Sequence, residues 1–213
     1  MTSDGSSIAV GARYNDGVGG YHTGHARIYE YVAVSGMWVQ KGADIDGQFN
    51  RDEAGNAVSI NSIGTIVAVG ALYNDNAGDQ AGHVRVFEWS IAQSDWLMKG
   101  PEITRDTGAG RTDNSSRLFG SSVALSNDGL TLAIGVPLTA RETSNGEMDA
   151  GYVMVVEYAL GASPTAQPTH QAQLQSWQQV GGEIPGIGGA VAREGFGWAV
   201  AASQDGSVLA IGA

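Results

Sequence analysis

The chain has 213 residues, of which 32 are glycine, 5 are proline and 42% are hydrophobic. That is too apolar for a disordered chain, and the glycines lack the three-residue period of collagen. A net charge of −11 with only 11 scattered Lys and Arg excludes nucleic acid as a partner, since phosphate binding needs clustered cations. With no cysteine there is no disulfide or thiolate metal site. No apolar run reaches membrane-spanning length or forms a signal-peptide core, so membrane insertion is not expected.

In chain order, the first predicted strand is "IAVGA" (Ile8–Ala12), followed by the polar loop "RYNDGVGGYHT" (Arg13–Thr23). "GHARIYEY" (Gly24–Tyr31) alternates, as a half-buried strand does, and "MWVQKGADI" centres a further strand on Trp38. The same series then returns. "AGNAVSI" from Ala54 and "IVAVGA" ending at Ala71 flank a short turn. "GHVRVFEW" (Gly82–Trp89) and "DWLMKGPEI" around Trp96 follow the loop "LYNDNAGDQA" (Leu72–Ala81). A third pass runs from "FGSSVALSNDGLTLAIGVP" (Phe119–Pro137) through "GYVMVVEY" (Gly151–Tyr158) to "SWQQVGGEI" around Trp177. A fourth opens with "FGWAVAASQDGSVLAIGA" (Phe196–Ala213).

Landmarks recurring in fixed order mark a structural repeat. Each unit reads as four short strands, the first two joined by a turn such as "NDG" or "QDG", whose glycine supplies the positive φ of a tight hairpin. Four-stranded antiparallel units at this spacing predict an all-β fold, a β-propeller, in which neighbouring blades bury one another's faces. The blades are placed at 1–45 (partial, strands two to four), 54–103, 119–184 and 195–213 (partial, strands one and two). That phase predicts a partial ring, either a piece of a larger propeller or a chain completed by assembly. Two polar insertions, Thr104–Arg117 and the segment between Tyr158 and Trp177, read as surface elaborations.

The pairs Phe119-Gly120 and Phe196-Gly197, with Gly135-Val136-Pro137, Gly11-Ala12, Gly70-Ala71 and Gly212-Ala213, resemble the FG-GAP repeat, the blade unit of the integrin α-subunit propeller. Ala54-Gly55 departs from it in lacking the aromatic. The resemblance covers essentially the whole chain. It implies an extracellular or cell-surface location and a non-enzymatic adhesion module that binds a protein or glycan on its loop face. Two alternatives stand beside it: a structural building block of an extracellular assembly, and a carbohydrate-active propeller enzyme. Integrin-type blades often hold calcium between strands one and two. Here that connection is only "SDG", "NSIG", "SNDG" or "SQDG", too poor in carboxylates for an ion that takes six to eight oxygens. No cofactor is expected.

The loops between strands two and three carry the candidate site. Tyr14, Asn15 and Asp16 match Tyr73, Asn74 and Asp75, either as a ring of polar ligand groups or as turn-forming residues. Asn74, Asp75, Asn76 and Asp79 are the best oxygen-rich set for a cation. Arg51, Arg117 and Arg193 precede first strands, and either line the ligand face or pair with neighbours such as Asp52 and Glu194. His25 and His83 recur after a glycine, and Glu30, Glu88 and Glu157 recur once per blade; both sets read as structural. His22 and His170 lie in loops without a companion cluster. No nucleophile elbow, phosphate loop or His-Cys zinc spacing is present.

Overall fold

The computed structural model describes residues 1–77, 80–105, 116–139, 151–159, 176–186 and 195–213. The first unit contributes β1 (Ser7–Ala12), β2 (His25–Val32), β3 (Met37–Gln40) and β4 (Ile45–Asp46). The second contributes β5 (Ala54–Ile60), β6 (Ile66–Ala71), β7 (His83–Ser90) and β8 (Asp95–Met98). The third contributes β9 (Ser116–Arg117), β10 (Ser122–Leu125), β11 (Thr131–Val136), β12 (Leu138–Thr139), β13 (Tyr152–Ala159), β14 (Ser176–Gln179) and β15 (Ile184–Pro185), and the last β16 (Ala199–Ala202) and β17 (Leu209–Gly212). No helix occurs among the described residues.

One antiparallel order recurs: β1–β2–β3 with β4 also on β2, then β5–β6–β7–β8, then β10–β11–β13–β14 with β15 also on β13. The β16–β17 hairpin repeats the first two strands, and β9 pairs with β12. The molecule is an all-β, partial β-propeller of four-stranded blades.

Local chemistry sets the blade hairpins. Gly5, Gly129 and Gly206 each take φ of 73° at the same turn position, a conformation that costs glycine nothing. Three residues before each glycine stands a Ser or Thr, and the Thr2, Ser126 and Ser203 hydroxyls donate to Asp4, Asp128 and Asp205 at 2.8, 2.6 and 2.7 Å. These turns therefore spend a carboxylate oxygen on themselves. Backbone and hydroxyl donors from Ser6 and Thr2 hold the Asp4 carboxyl down at about 2, and donors from Ser203 and Ser207 do the same at Asp205. The hairpin tips are also stitched to one another, Ser3 N–H to Ser62 O, Ser62 N–H to Asn127 O and Asn127 N–H to Gln204 O.

Packing between blades is equally repetitive. A Cβ on Gly11, Gly70 or Gly135 would overlap the carbonyl oxygen of Gly55, Gly120 or Gly197 in the next blade, so only glycine lets the inner strands approach this closely. Farther out, the Trp96 and Trp177 Nε1–H groups donate to the Lys41 and Lys99 carbonyls of the preceding blade, at 2.8 and 2.9 Å. One apolar cluster joins the first two blades through Ile28, Val67, Val69 and Phe87, and another joins the next two through Val84, Phe119, Ile134 and Trp177.

Two details depart from the sequence reading. The third strand of the second blade does not alternate: His83–Phe87 is buried throughout, because blades cover both faces of its sheet. The fourth strand does not end after the tryptophan. It leaves the sheet at 41–44 and returns as β4, whose Asp46 and Ile45 pair with His25 and Ala26 of β2; Ile103 pairs with Val84 in the same way in the second blade.

Candidate functional site

The loop residues 13–24, 47–53, 72–77 and 80–82 emerge at one end of the first two sheets, and the loops are bound to each other by main-chain hydrogen bonds. Arg51, Glu53 and Ala54 N–H groups donate to the Tyr21, His22 and Thr23 carbonyls at 2.9, 3.1 and 3.0 Å. Between these loops lies a cavity of about 700 Å³, lined by Tyr21, His22, Arg51, Glu53, Tyr73 and Asp75, with Asn50 and Gln80 completing the wall.

Four of its residues stand in the left-handed region although none is glycine: His22 at φ 51°, Arg51 at 66°, Glu53 at 53° and Gln80 at 52°. The backbone shape itself belongs to the repeat. Leu118 and Gly195, which also precede a first strand, take φ 68° and 64° where Glu53 takes 53°. What is particular to this cavity is the side chain: a carboxyl where the other units carry an apolar residue or none.

Glu53 is the chemically distinctive group. It is buried, its Oε2 accepts no hydrogen bond from the described residues, and Arg13 Nε stands 3.9 Å from that oxygen. Burial raises the Glu53 carboxyl above the ordinary carboxylate range, Arg13 and His22 opposing only in part. A carboxyl held toward its protonated form in a polar cleft can donate a proton. Around it, the Tyr21 and His22 rings stack with centroids 3.6 Å apart, Tyr14 leans on His22 at 5.0 Å, and half-exposed Tyr21 offers a flat apolar surface.

The sequence candidates divide. Arg51, Tyr73 and Asp75 line the cavity, while Tyr14 stands beside it, under the Arg13 guanidinium. Asp16 and Asp75 have the same local task, accepting the main-chain N–H of His22 and Gln80 at 2.9 and 2.7 Å. Asn15 and Asn74 accept the N–H of Gly24 and Gly82 through their carbonyls. In the oxygen-rich set, the Asn74 side chain donates to Asp52 and accepts from Asn76 N–H, and Asn76 donates to Gln48 and Glu102; Asp79 lies outside the described residues. Asp52 is taken by the Gln48 and Phe49 N–H groups and Asn74 and makes no ion pair with Arg51. Arg193, Glu194 and His170 lie outside the described residues, and the side chain of Arg117 is not described. Glu88 pairs with Lys99 at 3.1 Å. Sequence reasoning missed Glu53 and Tyr21 and left His22 isolated; the available signal was a glutamate at a unit position held elsewhere by Leu118 and Gly195.

No family model matches the chain, and no curated protein matches it. Solved structures do. They include the hydrazine synthase of Kuenenia stuttgartiensis (14% identity, TM-score 0.49, 99% of this chain and 47% of that one). The periplasmic gluconolactonase of Pseudomonas aeruginosa matches at 16% identity and TM-score 0.42 over 99% of this chain and 63% of that one. A candidate 6-phosphogluconolactonase from Bacteroides uniformis matches at 10% and 0.36 over 96% and 60%. The chain thus spans less than two thirds of each. These comparisons run against the expectation of a non-enzymatic adhesion module: the proteins returned carry enzyme names, and that expectation is withdrawn. At such identities the likeness is one of fold.

Proposed function

We propose that the cavity between the first two blades is the active site of an enzyme acting on a carbohydrate substrate, with Glu53 as its proton donor. The observation that carries this reading is the buried Glu53 carboxyl, whose Oε2 accepts no hydrogen bond from the described residues and which opens onto a polar cavity of about 700 Å³. Sugar hydrolysis requires a carboxylic acid kept protonated to meet a leaving oxygen, together with a second carboxyl. Asp75 lines the same cavity and supplies the second. Tyr21 offers the ring face on which an apolar sugar face stacks, and Arg51 and Asn50 offer donors to hydroxyl oxygens. The four left-handed residues around the cavity hold these groups at a conformational cost, which functional sites characteristically bear. We read the blades themselves as FG-GAP units, supported by the close approach of Gly120 and Gly197 to the preceding blades.

The test is turnover of a panel of 4-nitrophenyl glycosides by the purified chain and by Glu53→Gln. The expected result is hydrolysis of at least one glycoside, with kcat about 100-fold lower in the variant and KM little changed. In the parent protein kcat should fall as pH rises through the raised Glu53 titration, and that limb should vanish in Glu53→Gln. Absence of turnover across the panel, or turnover indifferent to Glu53→Gln, overturns the reading.

A further inference from the structure

The outer face of the first blade carries a second polar constellation, separate from the Glu53 cavity. His25 and Asp46 are direct partners across the β2–β4 ladder, so their side chains share one face of the sheet. Asp44, in the segment just before β4, brings its Oδ2 to 3.8 Å from His25 Nδ1. One ligand atom from each of His25, Asp44 and Asp46 falls within 4.8 Å of the other two.

We propose that His25, Asp44 and Asp46 form a binding site for a divalent ion of the zinc class. His25 is the independent sign of it. The residue is 5% exposed, its ring makes no hydrogen bond to the described residues, and Nδ1 stands 3.8 Å from Asp44 Oδ2. That distance is too long for a hydrogen bond and close to the separation of two ligands sharing one tetrahedral ion, about 3.3 Å for metal–ligand bonds of about 2.0–2.1 Å. Asp44 is prepared for the role by its other contacts. Its Oδ1 accepts from both Arg27 Nε and Gln40 Nε2, at 2.8 and 2.7 Å, whereas Oδ2 accepts from Arg27 Nη2 alone, at 2.7 Å. The less committed oxygen is the one beside His25. A ligating carboxylate fixed from behind by a donor is the usual outer-shell pattern at metal sites. One imidazole and two carboxylates favour zinc or a neighbouring transition ion over calcium, which prefers an all-oxygen shell of six or more.

The second blade supplies an internal control. His83 occupies the position of His25, and Glu102 that of Asp44, 3.3 Å from His83 Nδ1. Thr104 stands where Asp46 does, so that unit lacks the third anionic ligand. The site belongs to the first blade only.

Calorimetry and thermal melting of the EDTA-treated chain with ZnCl2 test the proposal, alongside Asp46→Asn and His25→Gln. The expected result is one ion per chain and a raised melting temperature, with affinity lowered at least about tenfold in each variant and unchanged in His22→Gln and His83→Gln. Should the variants fold poorly, Co2+ added to the parent chain provides the second measurement. Intense visible bands of four-coordinate nitrogen–oxygen ligation support the site, and an octahedral aquo-like spectrum counts against it. No binding at millimolar ZnCl2, or binding that survives both ligand variants, overturns it.

Discussion

The first and second blades carry the same motif, His-x-Arg on the third strand and an acidic residue after the tryptophan, yet put it to different physical use. In the first blade Arg27 is half-exposed and clasps Asp44 with two hydrogen bonds, which holds the Asp44 carboxyl down at about 2. In the second, the neighbouring blade covers the motif. Arg85 is 7% exposed and His83 fully buried; the Arg85 guanidinium donates across the blade boundary to the Asp46 carbonyl. Burial works against the Arg85 charge, and Asp52, Glu102 and Asp46 oppose that loss. Identical residues thus form a solvent-side ion pair in one unit and a buried inter-blade strut in the other. What covers a repeat decides its chemistry as much as the residues in it.

The tryptophans give the largest contrast. Trp177 is 1% exposed and Trp96 7%, whereas Trp38 is 44% exposed. Trp177→Ala should cost about 4 kcal/mol, the range for a buried aromatic truncated to alanine. Trp38→Ala should cost about 1 kcal/mol, because less apolar area leaves water-free contact. Urea denaturation of the two variants measures the gap, and equal costs would mean that the outer face of the first blade is covered in solution.

A pH titration separates the two histidines next. Full burial, reinforced by the Arg85 charge, pushes His83 down to about 3, so the folded ring stays neutral although Glu102 is 3.3 Å away. The unfolded chain binds a proton there near 6.5 and the folded chain does not. Stability is therefore complete above pH 6.5 and lost as pH falls toward 3, by about 1.4 kcal/mol per unit. At pH 4 the loss from His83 is about 3 kcal/mol. His83→Tyr, which borrows Tyr152 from the third blade, should remove that part of the slope in denaturation curves taken between pH 7 and 4. A slope unchanged in the variant would place the proton uptake elsewhere.

The arginines follow. Arg85→Ala breaks the bond to Asp46 and opens a void, at about 2–3 kcal/mol. Arg85→Met should recover most of it, since the third blade packs Met154 at this position with 1% exposure and apolar replacement of a buried ion is often neutral. Arg27→Ala, at a screened surface pair, should cost less than Arg85→Ala does. Melting of all three variants at two salt concentrations checks the order, with only Arg27 sensitive to salt.

Much of the fold was legible because its signals are local: apolar runs of strand length, turn glycines such as Gly129, and tryptophans at a fixed place in each unit. The break in the fourth strand was not, since "KGADI" looks like a loop until Asp46 is seen opposite His25. The candidate site was half legible. Arg51, Tyr73 and Asp75 sit on loops that the repeat already singled out, but Glu53 draws its character from burial between two blades and from a backbone angle, neither of which is written in the residues around it.

That angle provides the smallest and most specific prediction. Glu53, Leu118 and Gly195 share one left-handed position, at φ 53°, 68° and 64°. A side chain there costs about 1 kcal/mol relative to glycine, and Glu53 adds a desolvated carboxyl with no hydrogen bond to Oε2. Glu53→Gly should therefore stabilise the chain by about 0.5–1 kcal/mol while abolishing glycoside turnover, the trade expected where function holds a strained residue in place. Leu118→Gly relieves the same angle but removes a side chain that is 7% exposed, so it should destabilise by about 1–2 kcal/mol. Chemical denaturation of the pair separates the two effects: opposite signs assign Glu53 to the cavity's chemistry, whereas destabilisation by both would make Glu53 a packing residue like Leu118.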